Sequence, residues 1–304
     1  MLSLFLGPLV MASTLRLMAP VLFVAMGGAF GHKASVLNIG LESFMGFSAF
    51  FAMYGSYLFE SAWMGLLFGV VSAAVASCVF AVFVLHFQSN AVVVGIALNL
   101  AAWGATTFLL DALLNTRGVF IDPRIQSFQN VDIPVIKDIP YIGEVISGQN
   151  ILVYLGILLV VVAHIIMYKT PFGLRLRGVG IKAVAAQTVG VNAIKYKWAA
   201  IMISGIFSGF GGAFLTIGGS SMFTENISAG KGFLALAAIM VGDGNPLKTA
   251  LACLVFGYTQ ALSVTLQSIG MPSQIVISVP YLITVVIMFV SAMILKYRYR
   301  TVKQ

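Results

Sequence analysis

Charge is scarce in this chain. Only 9% of its 304 residues are charged, whereas 60% are hydrophobic, and the mean hydropathy is +1.02. A soluble domain is typically about 25% charged, because its surface faces water. The charged side chains here are too few to cover a soluble body of 32.4 kDa. A soluble globular protein is therefore excluded, and the apolar surface is expected to face lipid.

Cysteine and histidine are also scarce, and those present do not cluster. Cys78 and Cys253 lie in apolar segments without a CxxC partner, which argues against a disulfide framework and a zinc site. The segment 242–249 nearly matches a phosphate-binding loop. However, Leu247 stands where that pattern needs glycine, and Pro246 removes a backbone donor. We therefore expect no catalysis, metal or cofactor in this chain, and no nucleotide site of its own.

Long apolar runs are what the sequence has in abundance. A helix needs about 20 apolar residues to cross the hydrocarbon core of a bilayer. The expected fold is an all-α, polytopic transmembrane bundle of about eight spans, forming a single membrane domain over residues 1–304. A ninth apolar piece, Phe233–Gly242, is too short for a straight crossing and predicts a broken or re-entrant helix. The predicted spans are residues 9–30, 41–58, 62–86, 91–111, 150–168, 198–219, 247–268 and 274–295.

The distribution of charge predicts the orientation. The loop 169–197 carries six basic residues and no acid, and the C-terminal tail adds four more basic residues. The positive-inside rule places both in the cytoplasm, with the protein in the inner (cytoplasmic) membrane in contact with lipid. The loop 112–149 has four acidic and three basic residues and is expected outside, as a docking surface. Because the net charge of +8 follows this pattern, nucleic-acid binding is not expected.

The basic loop contains a predicted short helix. The stretch from Ile181 to Val189 is alanine-rich, and Gly190 follows as a natural stop, which predicts two to three helical turns. Pro171 and Gly173 are expected to end the preceding span. On composition alone, a basic loop held by anionic lipid is an equally good interpretation.

Two polar residues near the start of the second span are candidates for a solute pathway. Asn38 and Glu42 lie four apart, so they share a face if that segment is helical. A carboxylate at the centre of a span costs about 2.5–3.5 kcal/mol, so Glu42 should face protein or a water-filled path. These residues are predicted either to line the path or to orient a helix break after Ser35. The alternative places Glu42 at the interface near Lys33.

Three further polar residues complete the candidate pathway: Asn99, Ser204 and Ser208. Polar side chains within a span either bond neighbouring helices or contact a ligand, and the former is the commoner outcome. Glycines four residues apart predict close helix packing on the same principle. These pairs are Gly27 with Gly31, Gly65 with Gly69, and Gly205 with Gly209.

Several motifs together carry a resemblance to one family. The pattern Ala185-Ala186-x-x-x-Gly190 resembles the coupling segment of ABC importer permeases, in the branched family that serves simple sugars, branched-chain amino acids and nucleosides. The run 36–42 resembles the early motif of nucleoside-type permeases, and 204–213 resembles the glycine-rich span. The run 232–238 resembles the late half-helix. Two departures are Ser43, where the family usually has glycine, and the run 242–244, which reads Gly-Asp-Gly.

The resemblance implies a type II-like permease subunit that a separate ATPase energises, with ATP and magnesium bound by that partner. It also implies a second permease chain, with a heterodimer favoured over a homodimer, and an extracytoplasmic substrate-binding (lipo)protein. Nucleosides are the expected solute, with a ribose-like sugar or a branched-chain amino acid as alternatives. A different class, an ion-coupled secondary transporter, would need more intramembrane carboxylates. The residues expected to couple to the ATPase are Ala183, Ala185, Ala186, Gly190 and Val191.

Overall fold

The computed structural model describes residues 7–134 and 141–268, together with residues 282, 285, 286, 289 and 293. Its secondary structure is almost entirely helical. The helices are α1 (Pro8–Lys33), α2 (Leu41–Phe59), α3 (Ala62–Ala81, continued by a π-helical turn Val82–His86), α4 (Ala91–Leu114), α5 (Ile142–Ile146), α6 (Ile151–Lys169), α7 (Pro171–Ile181), α8 (Ala183–Thr188), α9 (Ala193–Ile217), α10 (Lys231–Val241) and α11 (Pro246–Ser268). The strands are β1 (Val119–Ile121), β2 (Asn130–Val131), β3 (Gln149–Asn150) and β4 (Met222–Thr224).

Six of the described helices are long and apolar enough to cross a membrane: α1, α3 with its π-helical extension, α4, α6, α9 and α11. Helix α2 coincides with the predicted span 41–58 but is not among the six. The predicted span 274–295 lies outside the described residues, apart from isolated positions. A polytopic helical membrane protein is therefore confirmed, whereas the count of about eight spans stays a prediction. The short apolar helix predicted at 233–242 is present as α10.

Helix α9 lies at the centre of the bundle and contacts α1, α2 and α3, and α1 in turn contacts α10 and α11. Glycines make these approaches possible. A β-carbon added at Gly209 would lie 2.7 Å from the Val70 Cα, and one added at Gly27 would lie 2.6 Å from the Phe207 Cβ. Since real β-carbons do not approach other carbons so closely, the predicted role of these glycines in close packing is confirmed at both positions.

The loop after α6 differs from its prediction. Helix α6 ends at Lys169, as predicted, but Pro171 then opens α7, a helix that was not predicted. Proline is favourable there because the first turn of a helix has no partner for its amide. Thr170 is the N-cap, and its side-chain oxygen accepts a hydrogen bond from the Gly173 amide at 3.3 Å. The segment 171–181 is therefore helical.

The two long loops lie at opposite ends of the bundle. Strand β1 pairs antiparallel with β4, and β2 pairs antiparallel with β3. The Phe128 amide donates to the Ile217 carbonyl at 2.9 Å, and the Gln149 side chain donates to the Ala12 carbonyl at 3.3 Å. These contacts place residues 115–134 and 141–150 beside the start of α1 and the end of α9. At the other end, Gly180 of α7 packs against the last turn of α1 at Lys33.

Candidate functional site

A short non-helical segment, the helix break, separates α1 from α2 and brings polar groups into the bundle. Residues 34–40 are not helical, and Ser35 has a left-handed φ of +57°. The Asn38 side-chain oxygen accepts from the Gly40 amide at 3.0 Å, and its amide nitrogen donates to the Ser204 hydroxyl of α9 at 3.4 Å. Asn38 therefore precedes the helix, and the condition under which it would share a helical face with Glu42 is not met.

Asn99 of α4 clamps this break from the side. Its side-chain oxygen accepts from the Ser43 amide at 2.9 Å, and its nitrogen donates to the Ile39 carbonyl at 3.2 Å. One turn earlier, a β-carbon added at Gly95 would lie 2.9 Å from the Gly40 amide nitrogen. The close approach at Gly95 and the two bonds of Asn99 hold α4 directly against the break.

Glu42 caps the amino-terminal end of the short helix α10. One of its carboxylate oxygens accepts from the Gly230 amide at 2.9 Å, and the other accepts from the Gly232 amide at 2.6 Å. Gly230 is the N-cap of α10, where amides lack helical partners and the helix dipole is positive. The carboxylate is only 9% exposed. Lys33, the alternative neighbour of Glu42, instead donates to Asp243 at 3.1 Å.

The two serines of α9 lie in the packed centre. Ser204 and Ser208 are both fully buried, and Ser204 is the partner of Asn38. Among the described residues, the Ser208 hydroxyl has no hydrogen-bond partner. Three of the five predicted pathway residues, Asn38, Asn99 and Ser204, thus form bonds around the start of α2. A fourth, Glu42, joins α2 to the start of α10. Their contact with a solute stays a prediction.

Two cavities along α4 bring in residues that sequence reasoning missed. The lower cavity lies nearer the amino-terminal end of α4 and has a volume of about 30 Å³; its lining includes Glu42, Asn99, Trp103, Thr106, Asn226 and Ser228. The upper cavity lies nearer the carboxy-terminal end of α4 and has a volume of about 620 Å³; it is lined by Thr107, Phe108, Asp111, Arg117, Gly118 and Glu225. Both lie on the seam between α4 and the segment that follows β4. The segment 225–228 has no repeating polar pattern, so only its position beside α4 marks it.

The predicted coupling helix is present as α8 but is shorter than expected. Its six residues end in a Schellman motif, in which Val191 donates to the Ala186 carbonyl and Gly190 donates to the Gln187 carbonyl, both at 3.0 Å. Gly190 has a φ of +81°, which glycine adopts without strain. The predicted stop at Gly190 is confirmed.

Burial divides the five predicted coupling residues into two groups. Ala186 is only 8% exposed and packs with Val179 of α7 and Ala193 of α9, so it anchors the helix. Ala185 and Gly190 are exposed, whereas Ala183 and Val191 are half-buried.

The outward surface of this region also contains large apolar side chains that the motif did not indicate. Ile181, Val184 and Val189 are 87%, 67% and 76% exposed. Exposed apolar groups of this size mark a contact surface for another protein or for the membrane.

Two charged groups of the opposite loop, Asp122 and Arg124, pair with each other. Arg124 donates to the Asp122 carboxylate at 3.1 Å, and this bond lowers the pKa of Asp122. The same guanidinium lies 4.1 Å from the centre of the Tyr57 ring, at the end of α2. Over residues 7–134 and 141–268, no three His, Cys, Asp or Glu side chains come together in an arrangement that could hold a metal.

Residues 10–293 match the protein family described as branched-chain amino acid transport system / permease component. The chain belongs to this family. The permease is 33% identical over 294 residues to the nucleoside ABC transporter permease protein NupC of Lactococcus lactis subsp. cremoris, covering 92% of this chain and 91% of the relative. It is 33% identical over 290 residues to the guanosine ABC transporter permease protein NupQ of Bacillus subtilis, covering 91% and 90%.

A more distant relative has a different name. The putative glucose ABC transporter permease protein TsgC13 of Haloferax volcanii is 26% identical over 263 residues, covering 85% of this chain and 78% of the relative. No solved structure matches the permease significantly. The resemblance inferred from the motifs is confirmed, and the protein is a multi-pass membrane permease, a transport subunit.

Proposed function

We propose that this permease is the membrane-spanning subunit of an ATP-binding-cassette importer for nucleosides. The observation that carries the proposal is the 33% identity, along nine-tenths of the chain, to two relatives named for nucleoside and guanosine transport. The relative named for glucose is 26% identical over a smaller share of the chain, so a simple sugar is the second candidate.

A separate ATPase supplies the energy in this proposal. The segment that nearly matches a phosphate-binding loop is the turn between α10 and α11, and its Asp243 carboxylate is engaged by Lys33 at 3.1 Å. The exposed face around α8 offers the ATPase a docking surface, with Val184, Ala185 and Val189 pointing outward.

Rigid packing provides a route from the docking surface into the bundle. Ala186 ties α8 to Val179 of α7 and Ala193 of α9, so a displacement of α8 moves both helices together. Helix α7 packs against the end of α1 through Gly180, and α9 carries Ser204, which binds the break at Asn38. Closure of the ATPase would thereby act on the helix break and, through the Glu42 cap, on α10.

Two further partners complete the importer. An extracytoplasmic binding (lipo)protein would deliver solute to the end of the bundle formed by residues 115–134 and 141–150. A second permease chain, a heterodimer partner in this proposal, would pack beside α4, which is the least buried of the six long apolar helices. On its exposed face, a β-carbon at Gly104 would meet no atom within 4 Å. The second chain would pack there, and the two chains together would frame the solute path.

The test is uptake by a reconstituted complex of the permease, its ATPase and its second permease chain in liposomes, with the binding protein supplied. We expect ATP-dependent accumulation of radiolabelled nucleosides that exceeds that of ribose, glucose or leucine. Accumulation of a sugar or leucine in preference to nucleosides would overturn the solute assignment. Uptake by this chain alone, driven by an ion gradient without ATP, would overturn the importer itself and favour a secondary transporter.

A further inference from the structure

We propose that the solute descends the seam between α4 and residues 223–228, and that Trp103 and Asn226 form the constriction that recognises a nucleobase. This inference rests on the proposed nucleoside function. It assigns the solute contacts to residues outside the polar network of the helix breaks.

The polar groups of the helix breaks leave little capacity for a solute. Both oxygens of Glu42 accept from backbone amides, and both polar atoms of the Asn99 side chain are bonded to the break before α2. Since the amides at Gly230 and Gly232 would lose their partners if Glu42 turned to a ligand, the carboxylate is held in its capping role. These residues form the floor of the lower cavity.

The two cavities differ in size: the upper one is large enough for a small solute, and the lower one is not. The upper cavity, about 620 Å³, falls in the range of small-molecule pockets. The lower cavity, about 30 Å³, has room only for water. Adjacent residues line the two, with Thr107 and Glu225 above and Thr106 and Asn226 below. A solute admitted from above therefore stops at this level in the present conformation.

The constriction offers the chemistry that a nucleobase needs. Trp103 is 56% exposed, so one face of the indole is open to stack on a planar ring. Asn226 is exposed, with a left-handed φ of +55°. Within the described part of the chain, no hydrogen bond occupies its side-chain amide. A free amide beside an open aromatic face can pair with the polar edge of a stacked base.

Of the described residues that line the upper cavity, the one with a positive charge is already paired, which leaves no free cation there for the carboxylate of an amino acid. Arg117 donates to the Asp111 carboxylate at 2.8 Å, and Glu225 accepts from the Gly118 amide at 2.8 Å. A zwitterionic amino acid would require unpaired charges of both signs. The cavity instead combines paired charges with the exposed ring of Phe108 and the Thr107 hydroxyl, whose oxygen has no hydrogen-bond partner among the described residues. This environment suits a neutral, aromatic, polar molecule.

The experiment compares Trp103→Ala with Trp103→Phe and with Trp63→Ala in the reconstituted complex. Trp63 is a matched control, because it is 65% exposed on α3 and lines neither cavity. Loss of base stacking should raise the KM for nucleoside uptake about tenfold in Trp103→Ala. Trp103→Phe should retain most of the affinity, and Trp63→Ala should match the wild type. Asn226→Gly, which keeps the left-handed backbone, should shift the preference between guanosine and cytidine.

A second measurement does not depend on transport. In a Cys78→Ala background, Trp103→Cys should react with a small methanethiosulfonate reagent, and guanosine should slow the reaction. Cys253 is buried and should not contribute. If the wild type imports nucleosides but Trp103→Ala keeps the wild-type KM and guanosine gives no protection, the constriction is wrong while the function stands. If the wild type imports no nucleoside, the proposed function fails first.

Discussion

Replacing Glu42 by alanine should release the amino-terminal end of α10. The substitution removes two charge-assisted bonds, to the Gly230 amide at 2.9 Å and the Gly232 amide at 2.6 Å. Bonds to a charged acceptor contribute about 1.5–3 kcal/mol each, so the local contribution is about 3–6 kcal/mol. Lys231, half-buried beside the cap, would then add its positive charge to the positive end of the helix.

The effect on global stability should be smaller than the local effect. Removing a buried carboxylate also removes its desolvation cost, which offsets part of the lost bonding. The sharper assay is therefore amide hydrogen exchange in lipid nanodiscs, measured over the first turn of α10. A local loss of about 3 kcal/mol corresponds to exchange more than 100-fold faster. Glu42→Gln keeps one acceptor oxygen and should show about half the free-energy change.

The matched control is Glu60→Ala. Glu60 is an exposed acid at the other end of α2, far from the cap, and its replacement should leave exchange in α10 unchanged. If the amides in the first turn of α10 exchanged equally slowly in Glu42→Ala and Glu60→Ala, the capping role of Glu42 would be refuted.

Three other substitutions separate packing from docking. Val184→Asp should weaken co-purification with the ATPase at least tenfold while leaving the melting temperature unchanged, because the side chain is 67% exposed. Ala186→Asp should instead lower the melting temperature, since it buries a charge against α7 and α9; an unchanged melting temperature would argue against the anchor. Gly209→Ala should cost about 1–3 kcal/mol, because its β-carbon would lie 2.7 Å from Val70. Gly104→Ala, which meets no atom, is the control and should be neutral by thermal unfolding of the isolated permease.

Local patterns in the sequence predicted the helices well. The apolar runs that predicted spans match six long helices, because burial in lipid imposes a length and a composition that any window of the sequence displays. Gly190 was predicted as a helix stop because the requirement for a positive φ is local. Pro171 was correctly predicted to end the preceding span, but the helix that it opens was not predicted, because proline after an apolar run can also begin the next helix. The Thr170 cap shows that it does so here.

The polar residues were found by type, but their roles were not. Asn38 and Glu42 were grouped by their spacing, yet Asn38 lies outside the helix, and its side chain contacts Ser204, 166 positions away. The residues predicted to couple to the ATPase were likewise chosen from a motif, which did not indicate that Ala186 is buried and Val184 exposed. Sequence spacing does not reveal which side of a six-residue helix packs inward, because that depends on the neighbouring helices.

The sequence by itself determined that this chain is a multi-pass membrane permease, since hydropathy and ordered motifs are properties of the linear chain. The tertiary structure decided how the chain's intramembrane polar groups are used. Glu42 meets the start of α10 across 188 residues of sequence, and α4 lines a cavity with the segment after β4, which lies more than 100 residues later in the chain. A carboxylate without such partners would be costly in the membrane. Folding therefore turns it into a helix cap and leaves the seam beside Trp103 open.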